Sequence, residues 1–333
     1  MRYLGSKTLL LQDIGNLLTS YHPGAVFCDP FGGVGTVGSY MKQQGFQVIS
    51  GDLLQFAHFF QIALIELNNL PAFSGITYEW NDTGGLEEYL NGLRADRGWL
   101  IEEYCNKRQF FTLDNALRIQ ACIDTIWGWN SEGKLSHEEY AFLIASLINS
   151  MDKVANTAGT YYAYLKTFYR KARQTFQFKL LQPVKGQNKC QCFLKDANTL
   201  IHDLPCDILY LDPPYNTRDY SKYYHLPETI AKGIAPIATG RSGVPQRQDV
   251  RSPYIIRSCV ESSFSELIQQ AQCKTIIFHY TDKGLLSNQF ISQTLSEQGL
   301  VEEYYFGCKG YQTKGVAQDS QHHVYKVTKK VTK

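Results

Sequence analysis

The sequence predicts an α/β fold in which two halves of an open, mostly parallel sheet are separated by a mainly helical insertion. Three short apolar runs, over 25–28, 46–50 and 208–211, read as buried strands, and each ends in an acid or a turn. Helical periodicity without alternating strands fills the chain from residue 54 to about 185. We therefore predict one catalytic domain from residues 1–56 and 186–333, with residues 57–185 inserted into it.

Composition limits the class of protein. The 333 residues carry a net charge of +2, with 44% hydrophobic and 19% charged residues, so the chain can bury a core and is not disordered as a whole. The nine cysteines are scattered apart from Cys190 and Cys192, which lack a second pair to complete a zinc site. No apolar run is long enough to span a membrane, and we expect a cytoplasmic protein without membrane partners.

The first half of the sheet contains a glycine turn. A helix is predicted over 8–18, then the strand 25–28, the turn Asp29-Pro-Phe-Gly-Gly-Val-Gly-Thr and a helix through Met41. Glycines between a strand and a helix let the backbone pass close to a nucleotide-type ligand. No Gly-Lys-Ser/Thr follows, which argues against a phosphate-binding P-loop. The next strand ends at Asp52, where doubly wound folds hold ribose hydroxyls.

The insertion is predicted to be helical over 59–68, 113–127 and 138–152. Basic residues alternate with aromatic ones along it, a composition that suits phosphates and exposed bases. Acidic residues occur there too, so much of the charge fits an ordinary solvated surface. Only the run 166–179 is locally basic.

The second half begins with a strand that ends at Asp196, followed by the strand over 208–211. The stretch 215–257 is rich in turns and predicts a mobile, partly basic loop region. A helix over 263–271, a strand over 275–279, a helix over 287–298 and an alternating stretch over 323–328 complete the α/β half.

The central feature is Asp212-Pro213-Pro214-Tyr215, directly after the strand over 208–211. The prolines stop the strand and hold a carboxylate, a carbonyl and an aromatic ring in fixed relation. Alone, such a motif equally describes an ordinary strand end. The carboxylate and the Pro213 carbonyl would accept hydrogen bonds from the two N–H groups of an aromatic amine. These hydrogen bonds would direct the lone pair of the amine at an electrophile. Tyr215 would stack on a base flipped out of a duplex, and no metal is required.

The glycine turn resembles the AdoMet-binding motif of N6-adenine DNA methyltransferases, and the Asp-Pro-Pro-Tyr run resembles their catalytic motif. The order of segments is that of the Dam-type (alpha-group) enzymes of restriction-modification systems. The segments 155–161 and 215–221 further resemble modification enzymes that accompany endonucleases with asymmetric sites. The resemblance implies a Rossmann-like methyltransferase sheet with an inserted target-recognition domain, and transfer of a methyl group from S-adenosyl-L-methionine to adenine N6 of double-stranded DNA.

The resemblance also implies roles for individual residues. The catalytic residues are Asp212, Pro213, Pro214 and Tyr215. The cofactor-binding residues are Tyr3, Lys7, Asp29, Phe31, Gly32, Gly33, Gly35, Thr36, Asp52, Leu53, Asp196 and Ala197. Within this set, Asp52 takes the ribose hydroxyls and Asp196 the adenine amino group of the cofactor. A helix cap is the alternative role for Asp196.

Several alternatives remain at this point. The same motifs serve enzymes that methylate base amino groups in RNA, which is the second hypothesis. A catalytically idle DNA-binding module is the third, although an intact catalytic motif argues against it. A nicotinamide-dependent oxidoreductase fits less well, because the glycine turn does not match G-x-G-x-x-G. The family likeness further implies a non-palindromic target, hence a monomer, and a restriction endonuclease as functional partner.

Overall fold

The computed structural model describes residues 1–76, 83–202, 204–246, 251–308 and 320–330. The chain forms two compact units. Unit 1 comprises Met1–Ser6, Leu54–Pro183 and Tyr220–Val250, and unit 2 comprises Lys7–Leu53, Val184–Asp219 and Arg251–Lys333.

Unit 2 contains a seven-stranded sheet in the order β3-β2-β1-β4-β7-β9-β8. The five strands from β3 to β7 are parallel, and β9 and β8 continue the sheet in antiparallel pairs. The strands are β1 (Val26–Asp29), β2 (Gln47–Asp52), β3 (Gln191–Leu194), β4 (Ile208–Leu211), β7 (Thr275–Thr281), β8 (Gly299–Cys308) and β9 (Ser320–Lys329). This sheet confirms the predicted α/β class.

Helices connect these strands. β4 is buried along its whole length, as expected for a central strand covered on both faces. The helices of unit 2 are α1 (Leu11–Asn16), α2 (Thr36–Gln43), α8 (Ala197–His202), α11 (Val260–Gln270) and α12 (Asn288–Ser296), with short 3-10 turns at Thr8–Leu10 and Pro253–Ile255. The predicted helix over 8–18 is thus shorter and begins as a 3-10 turn.

Unit 1 is mainly helical. Its helices are α3 (Gln55–Gln61), α4 (Thr83–Gly92), α5 (Trp99–Ile101), α6 (Leu113–Ser131), α7 (His137–Asp152), α9 (Tyr220–Tyr223) and α10 (His225–Lys232), with π-helical turns at Ile62–Glu66 and Glu102–Asn106 and a 3-10 turn at Arg170–Arg173. A short ribbon pairs β5 (Ala238–Thr239) with β6 (Val244–Pro245). In α7 a complete capping box between Ser136 and Glu139 fixes the start of the helix.

The prediction that 215–257 is a mobile loop region is wrong for α9 and α10. α10 is buried from His225 to Ala231. Pro227 lies in its first turn, where the missing N–H costs no helical hydrogen bond. The buried carboxylate of Glu228 accepts hydrogen bonds from the Gln55 and Phe56 amides, at 3.2 and 3.1 Å, and so caps α3. These contacts explain why 220–250 belongs with unit 1.

An extended segment over 174–181 is held by side chains instead of a sheet. Its amides at Phe176, Phe178 and Leu180 donate to Asn115, Asn91 and Glu87, at 2.8, 2.6 and 2.8 Å. The three donors are buried, whereas the residues between them are exposed. Helices α4 and α6 therefore supply the acceptors that a neighbouring strand would provide.

Replacing Asn115 by alanine is expected to destabilise the protein by about 2–4 kcal/mol, because the buried amide of Phe176 loses its acceptor. The Asn115 amide also donates to Gln174 O at 2.8 Å. Urea denaturation measures the change. The exposed Asn130, on the same helix, provides the matched Asn→Ala control, for which we expect less than about 0.5 kcal/mol. Equal losses in both variants would contradict the role given to Asn115.

No helix among the described residues has the length and apolar character needed to cross a membrane.

Candidate active site

The site lies in unit 2, at the carboxyl ends of β1, β4 and β2. Between β1 and β4 the order of the sheet reverses: β2 and β3 lie on one side, and β7 lies on the other. A parallel sheet opens a crevice at such a switch point, and ligands bind there. Asp29, Asp52 and Asp212 therefore reach one edge of the sheet, as the sequence predicted.

The glycine turn has the backbone conformation that its sequence suggests. Gly33 and Gly35 have φ values of +51° and +79°, in the left-handed region that glycine tolerates best. The Gly32 amide donates to Gly51 O on β2, and the Gly35 amide donates to Gly32 O, both at 2.9 Å. Thr36 then begins α2. The turn is thus fixed to the neighbouring strand.

Asp52 links β2 to the glycine turn. Its Oδ2 accepts a hydrogen bond from the Gly33 amide at 3.0 Å. The side chain of Asp52 and the adjacent Leu53 are both half-buried. A carboxylate held in this way can also accept hydrogen bonds from hydroxyl groups of a ligand that lies on the turn.

Asp212 is paired with a buried cation. Lys7 Nζ donates to Asp212 Oδ2, and the Lys7 side chain is 4% exposed, against 19% for Asp212. The family resemblance implied that Lys7 lies beside the cofactor, and no sequence pattern indicated this ion pair. A buried ammonium holds the orientation of the carboxylate through this charge-assisted hydrogen bond.

Asp29 is the second buried acid of the site. Burial, followed by the charge of Asp212, raises the pKa of Asp29 to about 8, although the Phe31 amide and Lys7 act in the opposite direction. The Phe31 amide donates to Asp29 Oδ1 at 3.2 Å. Without a ligand, Asp29 is therefore mostly protonated at neutral pH.

The pH dependence of stability is expected to reveal this proton. Unfolded Asp29 releases it near pH 4, whereas the folded protein keeps it up to about pH 8. Between these values the acid destabilises the folded state by about 1.4 kcal/mol more for each pH unit. Asp29→Asn removes this term, so urea denaturation should show the variant gaining stability over wild type from pH 5 to pH 8. A stability difference that does not change with pH would contradict the assignment.

Packing and hydrogen bonds hold the rest of the Asp-Pro-Pro-Tyr run in place. Pro213 is buried, and Pro214 and Tyr215 are half-buried. The Tyr215 ring contacts the Tyr280 ring edge to face, with centroids 6.4 Å apart. The backbone carbonyl of Tyr215 accepts a hydrogen bond from the Leu285 amide at 2.9 Å. The ring of Tyr215 is thus held from the β7 side while one part of it stays accessible to solvent.

Asp196 has the contacts of a helix cap. Its Oδ1 accepts hydrogen bonds from the Asn198 and Thr199 amides at the start of α8, at 3.0 and 3.4 Å. Ala197, next to it, is buried. These contacts match the alternative role that the sequence left open. The predicted contact between Asp196 and the cofactor stays a prediction.

Tyr254 is a residue of this site that no sequence motif indicated. Its ring meets Phe31 of the glycine turn edge to face, at 4.9 Å, and its hydroxyl donates to Asn198 Oδ1 at 2.7 Å. It thereby joins the turn to the residues after Asp196. Tyr254 lies in the stretch read as a loop, and only the run Pro-Tyr-Ile-Ile suggests a buried turn.

The predicted site residues fall into one unit with a single exception. All except Tyr3 belong to unit 2. In unit 1 the Tyr3 ring stacks on Tyr224, with centroids 5.0 Å apart, and packs against Tyr220 and Phe56. The predicted role of Tyr3 beside the cofactor is not tested by these contacts.

Comparison with known proteins agrees with the family resemblance of the sequence motifs. A family model described as D12 class N6 adenine-specific DNA methyltransferase matches residues 3–281. The type II methyltransferase M.FokI of Planomicrobium okeanokoites is 33% identical, with 98% of this chain and 52% of its own length covered. Modification methylase StsI of Streptococcus sanguinis is 29% identical, and the match covers 96% of this chain and 50% of StsI. The type II methyltransferase M.NlaIII of Neisseria lactamica is 33% identical, and the match covers 86% of this chain and 85% of M.NlaIII. The chain thus spans about half the length of the first two relatives.

Proposed function

Because the chain belongs to the D12 class N6 adenine-specific DNA methyltransferase family, we propose that it transfers a methyl group from S-adenosyl-L-methionine to N6 of an adenine in double-stranded DNA. The observation that carries this proposal is the Asp212-Pro-Pro-Tyr turn beside the glycine turn, at the point where the order of the sheet reverses.

The residues of the site fit a cationic cofactor. The charges of Asp212 and Asp52 both act on Asp29, and Lys7 is paired with Asp212. A positively charged ligand would therefore be attracted, and it would favour ionisation of Asp29. The glycine turn lies at the edge of the sheet where ligands bind, and Asp52 would hold the ribose hydroxyls. When bound, S-adenosyl-L-methionine supplies an electrophilic methyl group on a positively charged sulfur.

The residues of the chain would make the adenine amine nucleophilic. Asp212 Oδ1 and the Pro213 carbonyl accept hydrogen bonds from the two N–H groups of this amine, which localises the lone pair on N6. Lys7 donates a hydrogen bond to Asp212 Oδ2 and so holds the orientation of this carboxylate. The Tyr215 ring stacks on a base that has left the duplex, and the base is thereby held in the orientation needed for transfer.

Exposed basic and aromatic side chains of unit 1 would contact the DNA. Lys166, Arg170 and Arg173 are exposed on the segment that precedes the extended stretch over 174–181. Tyr162 and Tyr169 are 45% and 43% exposed nearby in the sequence. Such a surface binds phosphates and stacks on bases. This supports the role of the insertion in target recognition.

Replacing Lys166, Arg170 and Arg173 together by glutamine is expected to weaken binding to all DNA sequences alike. Each lost phosphate contact reduces the magnitude of the slope of log K against log salt by about 0.9. The slope of the triple variant should therefore be smaller in magnitude than that of wild type by up to about 2.7. Fluorescence anisotropy over a salt series measures this slope. The control is Lys107→Gln with Lys134→Gln, because both lysines are paired with glutamates in the same unit. Equal slopes in the two variants would contradict the assignment.

The modification methylases among the relatives support a place in a restriction-modification system, with a restriction endonuclease as functional partner. The test of the proposed function compares acceptors. Duplex DNA, total RNA and protein are incubated with labelled S-adenosyl-L-methionine and the wild-type chain. Label in DNA supports the proposal. Label mainly in RNA would instead favour the second hypothesis, a methyltransferase for RNA bases.

A further inference from the structure

Two histidines form a hydrogen-bonded chain behind the catalytic motif. Tyr210, on β4, shares a hydrogen bond with His279 Nδ1 at 3.3 Å, and His279 Nε2 shares one with His322 Nδ1 at 2.8 Å. The two imidazole rings meet edge to face, with centroids 4.8 Å apart. Tyr210 and His279 are buried, and His322 is half-buried. The family match does not extend to His322, because it ends at residue 281.

The register of the strands directs this chain toward Asp212. Leu211 on β4 pairs with Phe278 on β7, so Asp212 and His279 occupy the next positions along the two parallel strands. Paired residues share a face of the sheet. His322, on β9, pairs with Thr281, two residues beyond His279 on that same face. His322 also lies within electrostatic reach of both Lys7 and Asp212.

Both histidines are neutral at physiological pH. Burial and the charge of Lys7 lower the pKa of His322 below its ordinary value, while Asp212 opposes this effect. Burial, Lys7 and His322 hold the pKa of His279 well below the usual range. A neutral imidazole beside a lysine can accept a proton, and its second nitrogen can pass a proton on.

The imidazole of His322 is half-buried, so it has partial access to solvent. Its cross-strand partner on β8 is Phe306. Phe306 lines an open crevice together with Tyr304 and Lys326 of the sheet and Asp13 and Asn16 of α1. Lys326 lies on the same face of β9 as His322, four positions farther along. The crevice carries polar side chains on its α1 side, so water can occupy it next to Phe306.

We propose that His322, supported by His279, relays the proton that adenine N6 releases on methylation from the Lys7–Asp212 pair to solvent. This inference rests on the proposed function. N6 carries a positive charge once it has gained the methyl group, and it gives one proton to Asp212. Lys7 passes a proton to His322 and takes the one held by Asp212. His322 then gives its proton to water, which restores the ionised pair and the neutral imidazole. His322 and His279 are positioning and relay residues that do not touch the base.

The test compares proton release with methyl transfer in one preparation. Stopped flow with a pH indicator in weak buffer follows proton release, and chemical quench follows label in DNA during the first turnover. Wild type should show equal rates. His322→Gln should release protons about 10-fold or more slowly than it transfers the first methyl group, and added imidazole should restore the rate. The ratio of the two rates does not depend on the fraction of folded enzyme.

Controls separate relay from structure. His323 lies next to His322 on β9 but contacts Glu303 and Tyr325 instead, at 3.0 and 2.9 Å. His323→Gln should therefore keep the two rates equal. His279→Asn provides a second relay variant, with a smaller expected lag. Equal rates in His322→Gln, or a lag that imidazole does not shorten, would overturn the relay. Absence of methyl transfer by wild type would instead contradict the proposed function.

Discussion

Asp212→Asn is expected to lower the rate of methyl transfer to duplex DNA by about 10³-fold or more, and to leave the affinity for S-adenosyl-L-methionine within a few-fold of wild type. An uncharged amide accepts a hydrogen bond from N6 more weakly than a carboxylate does. The substitution also removes the negative charge with which Lys7 is paired. Single-turnover labelling measures the rate, and calorimetric titration measures the affinity.

The matched control is Asp282→Asn, at an exposed acid just after β7. This variant should methylate DNA at the wild-type rate. If Asp212→Asn keeps more than about a tenth of the wild-type rate, the carboxylate is not the acceptor that activates the amine. If it also loses the cofactor, Asp212 acts in binding as well as in the reaction.

Lys7→Met is expected to slow methyl transfer at pH 7 by about 100-fold, the effect of losing one buried charge-assisted hydrogen bond. Lys7 opposes the rise in the pKa of Asp29, and it is the ion-pair partner of Asp212. Without the ammonium, the carboxyl group of Asp29 retains its proton to higher pH. The rate of the variant should therefore recover partly as the pH is raised from 7 to 9, whereas the wild-type rate should change little.

A profile of the single-turnover rate against pH measures this recovery, and unfolding in urea confirms that the variant is folded at each pH. Lys7→Arg is the control, because it keeps the positive charge; its profile should resemble that of wild type at a reduced rate. A loss in Lys7→Met that is the same at every pH would mean that Lys7 acts through packing alone.

Local sequence patterns predicted the strands and the glycine turn because their signals lie within a few residues. The apolar run Ile208–Leu211, followed by two prolines, defines its own end, and the acids after β1 and β2 must share an edge in a parallel sheet. The resemblance to a methyltransferase family rested on these same short runs, and the family match confirms it.

Contacts between distant residues could not be read in the same way. Lys7 and Asp212 are 205 positions apart, and His279 and His322 are 43 positions apart. The alternation of Phe176, Phe178 and Leu180 does indicate an extended segment, but its acceptors are side chains of separate helices. α10 lies in a stretch whose glycines and prolines predict turns, although Pro227, in the first turn of this helix, is compatible with a helix.

The central claim, methylation of adenine N6 in DNA, is tested most directly by the identity of the modified nucleoside. Duplex DNA without prior methylation is incubated with the protein and S-adenosyl-L-methionine that carries a trideuterated methyl group, then digested and analysed by mass spectrometry. We expect N6-methyladenine that carries the deuterated group. A deuterated methyl group on another base, or DNA that stays unmodified while RNA is labelled, would contradict the account.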